Sequence, residues 1–252
     1  MKFIAIIPAR YASTRFPGKP LAMLGGKTVI QRVVEQASKV LTDVYVATDD
    51  QRIMQAVEAF GGHAVMTRAD HQSGTDRIEE ALEKIGGDFD VVINIQGDEP
   101  FVHPSQLRTL MHCFDDSKTQ IATLGKRFTT MDAVENPNSP KIVTTLDGYA
   151  LYFSRSVIPF VRGKESKEWL QHYPFLKHLG LYAYRTEVLR AITKMPRSPL
   201  EIAESLEQLR WLQNGYKIKV GLTQAETVGI DTPADLQRAE IFLKNMTPEE
   251  ME

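Results

Sequence analysis

The stretch "KFIAIIPARYASTRFPGKPLAMLGGKTVIQRVVEQASKVLTDVYVAT", Lys2–Thr48, holds one complete strand–loop–helix–strand unit. Phe3–Ile7 is a continuous apolar run, as expected of a strand covered on both faces. Val29, Ile30, Val33, Val34, Ala37, Val40 and Leu41 recur at helical spacing, and Val44–Thr48 reads as a second strand. The loop between strand and helix carries no acid. Six basic residues (Lys2, Arg10, Arg15, Lys19, Lys27 and Arg32) precede Glu35, the first acidic residue of the chain.

The same rhythm continues outward. Asp49 or Asp50 caps a helix carrying Ile53, Ala56, Val57 and Phe60, which Gly61-Gly62 ends. His63–Met66 is a third strand. Ser73 or Thr75 opens a helix with Ile78, Ala81, Leu82 and Ile85, and Val91–Ile95 is a fourth strand. Pro104 stands where a first-turn proline belongs. This alternation predicts an α/β fold: a doubly wound, Rossmann-like parallel sheet. From about Thr123 the pattern changes. Lys141–Phe153 reads as a hairpin with Asp147-Gly148 in a type I′ turn, and Lys177–Arg185 as a strand. Helical spacing returns over Ile202–Leu212, a strand follows at Lys217–Leu222, and Thr232-Pro233 starts a last helix. The expectation is one domain over residues 1–252, with an antiparallel segment inserted at about 125–185. Gly163–Pro174 is the least patterned stretch and is expected to be a mobile loop.

The net charge of −2 in 252 residues gives no global case for nucleic acid or an anionic membrane surface. The positive charge is local, which points to a small anionic ligand. A single cysteine, Cys113, excludes an intrachain disulfide framework and fits a reducing compartment. No apolar stretch approaches the ~18 residues of a membrane span, and no signal-peptide pattern opens the chain. The expected location is the cytoplasm.

Four loops carry candidate chemistry. The basic loop contains Gly26-Lys27-Thr28, but Leu21 stands where a Walker A loop needs glycine. Its Gly18, Gly25 and Gly26 would let backbone N–H groups approach an anion, with the helix from Thr28 adding its positive end; a solvated surface loop is the plainer alternative. "NIQGDEPF" (Asn94–Phe101) sets Asp98 just past an apolar strand, a usual place for Mg²⁺ beside phosphates, or else a simple turn. In "GIDTPADL" (Gly229–Leu236) a capping box accounts for Thr232 and Asp235 but not for Asp231. That second carboxylate matters only if it meets Asp98 in space. In "TRADHQSGTDR" (Thr67–Arg77), His71, Gln72, Ser73 and Gly74 offer hydrogen bonds to a base or ribose, or serve as helix-cap chemistry. His63, His103, His112 and His172 lack metal-ligand spacing, and Cys113 falls in an apolar helical pattern.

Taken with "ATDD", "YALYFSRS", "HLGLYAYR" and "SPLEIAESLEQLR", these motifs stand in the order and spacing of one family. The chain resembles the 3-deoxy-manno-octulosonate cytidylyltransferases, from Phe3 to about Phe242. The resemblance implies transfer of CMP from CTP to the anomeric hydroxyl of 3-deoxy-D-manno-octulosonate (Kdo), releasing pyrophosphate and giving CMP-Kdo for lipopolysaccharide. It implies that Arg10, Ser13, Arg15 and Lys19 hold the triphosphate. Asp98 and Asp231 would hold Mg²⁺. Gln96, His178, Glu207 and Gln208 would read Kdo, while Gln72 and Ser73, with backbone near Pro8 and Ala9, would lie by cytosine and ribose. It implies further that the inserted segment pairs subunits in a homodimer. On a period-two strand His178 shares a face with Tyr182 and Tyr184, and Glu207 and Gln208 would flank a buried helical stripe of Leu206, Leu209 and Leu212. Activity on 8-amino-Kdo or sialic acid, or a non-catalytic CTP-sensing module, are the competing readings.

Overall fold

A computed structural model describes residues 1–225 and 228–246. The far end of the expected domain, 247–252, lies outside the described residues. The chain forms two compact units, 1–107 with the C-terminal segment, and 108–225.

The first unit begins with β1 (Phe3–Ala9), whose Ile4, Ala5, Ile6 and Ile7 are fully buried. A small hairpin of β2 (Met23–Leu24) and β3 (Lys27–Thr28) leads to α1 (Val29–Ser38). The Thr28 hydroxyl caps α1 by accepting from the Gln31 N–H, and Val29, Ile30, Val33 and Ala37 form its buried stripe. Next come β4 (Val44–Thr48), α2 (Gln51–Ala59) capped by Asp50, β5 (His63–Met66), α3 (Gly74–Ile85) and β6 (Val91–Asn94). The strands are all parallel, in the order β6-β1-β4-β5. The chain winds outward from β1 to β5 and then returns through α3 to β6 on the other side of β1. The winding therefore reverses between β1 and β6, and the carboxyl ends of those two strands bound the crevice where such sheets bind ligands. Helix α4 (Pro104–His112) follows β6.

The second unit is antiparallel in large part. Its strands are β7 (Ile121–Arg127), β8 (Lys141–Thr144), β9 (Ala150–Ser154), β10 (Leu176–Arg185) and β11 (Ile218–Leu222). β10 runs antiparallel to β7 and β8, β8 and β9 form the expected hairpin, and β11 lies parallel to β7. Helix α5 (Met131–Glu135) follows β7, and α6 (Trp169–His172), α7 (Thr186–Ile192), α8 (Pro199–Glu204) and α9 (Gln208–Gln213) complete the unit. The last element, α10 (Pro233–Asn245), belongs to the first unit. It closes a cluster of Leu24, Val29, Phe101, Ile230 and Ala239, with the Phe101 and Phe242 rings 4.8 Å apart edge to face.

Three local expectations are corrected. The β8–β9 turn is not type I′. Gly148 has φ +81°, but Asp147 does not share the positive φ that type I′ requires. Gly148 N–H donates to Thr145 O, which makes a Thr145–Gly148 turn closed by a glycine in the left-handed region. The helical run Ile202–Leu212 is broken in two at Ser205, whose φ is +50°. The stretch expected to be a mobile loop forms a 3-10 turn (Ser166–Glu168) and α6. Trp169 anchors it, with ring contacts to Phe160 at 5.2 Å and Phe175 at 6.2 Å, and its Nε1–H donates to Lys164 O. Cys113 is buried as expected, and burial pushes its thiol up to about 11.

Across the break at Ser205, Arg210 donates to both Glu201 carboxylate oxygens at 2.7 and 2.8 Å, with the two side chains 10% and 6% exposed. This pair joins α8 to α9. Arg210→Met leaves the buried Glu201 carboxylate with the exposed Arg197 at 3.4 Å and the Ser198 amide, and is expected to cost about 3 kcal/mol, read as a lower urea midpoint at unchanged slope. An unaltered midpoint would show that the pair does not hold the two helices.

Candidate functional site

At the carboxyl ends of β1 and β6 lies a cavity of about 400 Å³, lined wholly by the first unit. The basic loop forms one wall. Tyr11 organises that loop: its carbonyl accepts from the N–H groups of Ser13 and Gly18, and its ring lies under the Arg52 guanidinium, 3.3 Å from the centroid. Gly18 has φ +71°, and a Cβ there would press on the Tyr11 ring at 3.0 Å. The chain then turns through a 3-10 segment, Lys19–Leu21, which aims Lys19 at the floor.

The floor brings together two acidic loops that are distant in sequence. Ile230 N–H donates to Asp98 O at 2.9 Å, which ties the loop before α10 to the loop after β6. The Thr232–Asp235 capping box of α10 fixes the next residues, and Asp235 also accepts from Asp231 N–H. Asp98 and Asp231 thus meet, as the residue reading required. Lys19 Nζ donates to Asp98 Oδ2 at 2.5 Å and to Asp231 Oδ1 at 3.2 Å. Arg15 Nη2 lies 3.1 Å from the same Asp231 oxygen. Two carboxylates within reach of one ammonium can hold one hard cation. Among the described residues no cluster of three or more His, Cys, Asp or Glu side chains could hold a metal.

The opposite wall is the loop Thr67–Ser73 with the N-terminus of α3. Ser73 caps α3 in a capping box with Asp76, and Gly74 lies so near Pro8 that a Cβ would reach its ring at 3.3 Å. Glu80 on α3 anchors the loop. Its carboxylate takes the His71 Nε2–H, the Arg68 N–H and the Lys84 ammonium. Burial pushes the Glu80 carboxyl up, but Lys84, His71 and the Arg68 amide outweigh it and bring it down to about 2.

Pro8, Ala9, Arg10, Ser13, Arg15, Lys19, Gln72, Ser73, Gln96, Asp98 and Asp231 all line this cavity. His178, Glu207 and Gln208 belong to the second unit. The sequence reading did not single out Arg77 or Gly97. Arg77 is 4% exposed, lines the cavity, and binds Asp49 Oδ2 at 2.9 Å and Thr67 Oγ1 at 2.6 Å. Its signal was present in "ATDD" and "SGTDR", motifs whose partnership appears only in space. A Cβ on Gly97 would meet Pro8 O at 2.8 Å, so the β1 and β6 loop ends approach only with glycine there. Gly25 and Gly26 do not line this cavity. They form the β2–β3 turn with φ +53° and +81°, and Gly25 N–H is spent on Glu240. The helix start at the cavity is that of α3, not α1.

In the second unit, β10 carries a bulge between Leu179 and Tyr182, yet the His178 and Tyr182 rings remain 5.3 Å apart. Burial brings the His178 ring down to about 3, so it is neutral at pH 7. Thr123 Oγ1 lies 3.1 Å from His178 Nε2 and 2.8 Å from Leu181 O; with its one proton given to that carbonyl, the hydroxyl would accept from Nε2–H and leave Nδ1 as an acceptor. Gln208 does not flank the helix stripe as expected. It is 4% exposed, and its Nε2 has no hydrogen-bond partner among the described residues.

Both shifted groups make stability fall with acid. Unfolded His178 takes a proton below its ordinary 6.5 and the folded one only near 3; Glu80 follows between 4.5 and about 2. The unfolded chain holds more protons across both windows, so stability rises with pH there and is lost as pH falls. Urea midpoints are expected to drop from pH 6.5 downward, less steeply for His178→Gln above pH 4.5 and for Glu80→Gln below it. Parallel profiles for all three proteins would refute these assignments.

A family model described as cytidylyltransferase matches residues 4–218. A 3-deoxy-manno-octulosonate cytidylyltransferase of Bacteroides thetaiotaomicron is 66% identical over 97% of this chain and 99% of its own length. An 8-amino-3,8-dideoxy-manno-octulosonate cytidylyltransferase of a Shewanella species is 46% identical over 95% of this chain and 98% of its own. The solved structure of a CMP:2-keto-3-deoxy-manno-octonic acid synthetase complexed with CTP is 44% identical and matches with a TM-score of 0.89, covering 97% of this chain and 99% of that one. With likenesses that run through nearly all of its length, the chain belongs to the cytidylyltransferase family, among the 3-deoxy-manno-octulosonate cytidylyltransferases.

Proposed function

We propose that this chain joins CTP and Kdo into CMP-Kdo and pyrophosphate, with Mg²⁺ as its metal. The observation that carries the reading is the meeting of Asp98 and Asp231 on one ammonium, at the floor of a cavity walled by an acid-free basic loop. Kdo is favoured over 8-amino-Kdo because the Kdo-named relative is 66% identical and the 8-amino-named one 46%. No helix among the described residues is long and apolar enough to cross a membrane, in keeping with work in the cytoplasm.

In this reading Arg10, Ser13, Arg15 and Lys19 bind the triphosphate by charge-assisted hydrogen bonds and stabilise the charge that builds on the leaving pyrophosphate. Pro8, Ala9, Gln72 and Ser73 hold the cytidine. Asp98 and Asp231 would hold the metal, which when bound would supply positive charge to the reacting phosphate and the sugar hydroxyl. Gln96, His178, Glu207 and Gln208 orient Kdo. The neutral His178 ring offers an acceptor and the unpartnered Gln208 amide a donor, as a polyhydroxylated sugar needs. Binding in register, rather than covalent catalysis, supplies the rate.

Pyrophosphate release is measured with CTP, Mg²⁺ and each of Kdo, 8-amino-Kdo and sialic acid. The expected order puts Kdo first. Asp98→Asn and Asp231→Asn should each lower kcat by about two orders of magnitude. His178→Ala and Glu207→Ala should raise the Kdo KM or lower kcat about tenfold, with a much smaller change in the CTP KM. CTP binding without pyrophosphate release would instead favour a sensing module.

The segment at about 125–185 is proposed as the subunit-pairing element of a domain that spans the chain. Of the apolar and aromatic residues that the sequence suggests it exposes, Tyr149, Phe153, Leu179, Leu181 and Tyr184 are buried in the chain's own core and Leu151 is exposed, as are Leu146 and Phe160. Light scattering at micromolar concentration should give twice the 28.4 kDa chain mass. A monomer mass would remove the homodimer.

A further inference from the structure

Lys19 makes contacts that a phosphate-binding role does not explain. Its side chain is 12% exposed, and its ammonium lies within hydrogen-bonding distance of both Asp98 and Asp231. The chain itself thus supplies the positive charge between the two proposed metal ligands. The backbone does not depend on that charge. Ile230 N–H donates to Asp98 O, Asp231 N–H to Asp235, and Glu99 N–H to Gln96 O, so the main chain keeps the two acidic residues adjacent independently of the ammonium. Two anionic groups held this close attract any cation strongly, and an ammonium touching both leaves no room for a metal between them. Arg15 is a poor substitute, being 64% exposed and reaching only Asp231.

The main chain of Lys19 is fixed in the 3-10 turn, its N–H bonded to Phe16 O and its carbonyl to Ala22 N–H. Only its four-carbon stem has to swing to move the charge. A triphosphate in the same cavity offers oxygens that compete for the ammonium, alongside Arg10 and Ser13.

We propose that Lys19 is an internal counter-cation that closes the carboxylate pair to metal until a nucleotide triphosphate draws its ammonium away. Nucleotide and metal then bind with positive coupling, each raising the affinity of the other by the same factor. This rests on Asp98 and Asp231 being the metal ligands.

The test uses Mn²⁺ alone as probe, with free aquo-ion counted by electron paramagnetic resonance on the intact protein without nucleotide. Lys19→Met is expected to bind Mn²⁺ about tenfold or more tightly than the unaltered chain, since removal of the competing charge leaves the pair open. Lys19→Gln, which keeps a polar tip, should gain similarly; Lys19→Arg should not gain, and Lys19→Met with Asp98→Asn should lose the gain. Thermal unfolding of each variant verifies that it is folded. Neutral variants that bind Mn²⁺ no more tightly than the unaltered protein overturn the proposal. A parallel titration with Mn²⁺ and CTP separates the two readings. If Asp98→Asn leaves the enzyme-bound Mn²⁺–CTP spectrum unchanged, the ligand assignment itself fails. If that spectrum changes but no Lys19 variant tightens, only the counter-cation role fails.

Discussion

One main-chain hydrogen bond, Ile230 N–H to Asp98 O, makes the charged centre of the first unit possible. Side chains alone would not bring two carboxylates together, because their charges oppose it. The bond forces the approach, and the Lys19 ammonium makes it tolerable. Around that point the other features fall into place. The sheet reverses its winding between β1 and β6, which opens the crevice. Gly97 lets the strand ends come close, and the α10 capping box stiffens the loop that delivers Asp231. Glu80 and Arg77 brace the facing wall, each through several bonds to the Thr67–Ser73 loop and its surroundings.

Where sugar recognition is proposed, the second unit brings the neutral His178 ring and the Gln208 amide together with one acidic side chain, Glu207. His178 is held uncharged by burial, with its Nε2 3.1 Å from the Thr123 hydroxyl. The aromatic wall of Tyr182, Tyr184 and Trp211, with edge contacts near 5.2–5.4 Å, keeps that face of β10 rigid. The Glu201–Arg210 pair then sets the start of α9, where Gln208 is buried. In the proposed reading, such a mixed array of donors and acceptors suits a ligand rich in hydroxyls, and the basic loop of the first unit one rich in phosphate.

Local signals carried the parallel half of the fold. Thr28, Asp50, Ser73 and Thr232 all cap helices because their side chains can bond the exposed amides of the first turn, a rule readable within four residues. The turn at Gly148 and the break at Ser205 were less legible. Asp147-Gly148 marks a turn with glycine at positive φ but does not report the φ of Asp147, which sets the turn type; across Ser205 apolar spacing continues although its φ is positive, and spacing does not report φ. Asp98 could be placed at a strand end, but its meeting with Asp231 depends on a bond between distant loops. Arg77 was hidden for the same reason: Asp49 and Thr67 become its partners only after α3 has crossed the sheet. The Gly25-Gly26 pair misled because glycine permits both anion cradles and tight hairpins, and the sequence does not say which.

The distance along the chain between Lys19 and Asp231 is 212 residues. The parallel layer that carries Lys19 and Asp98 is translated well before the segment bearing Asp231 and α10. A nascent chain on the ribosome can therefore possess a basic loop and one carboxylate while it lacks the second. The floor that carries both carboxylates is complete only when α10 packs onto Leu24, Val29 and Phe101. Under the proposed function, docking of that helix doubles as a checkpoint: a polypeptide in which it has not docked would present the basic loop but not the paired acids.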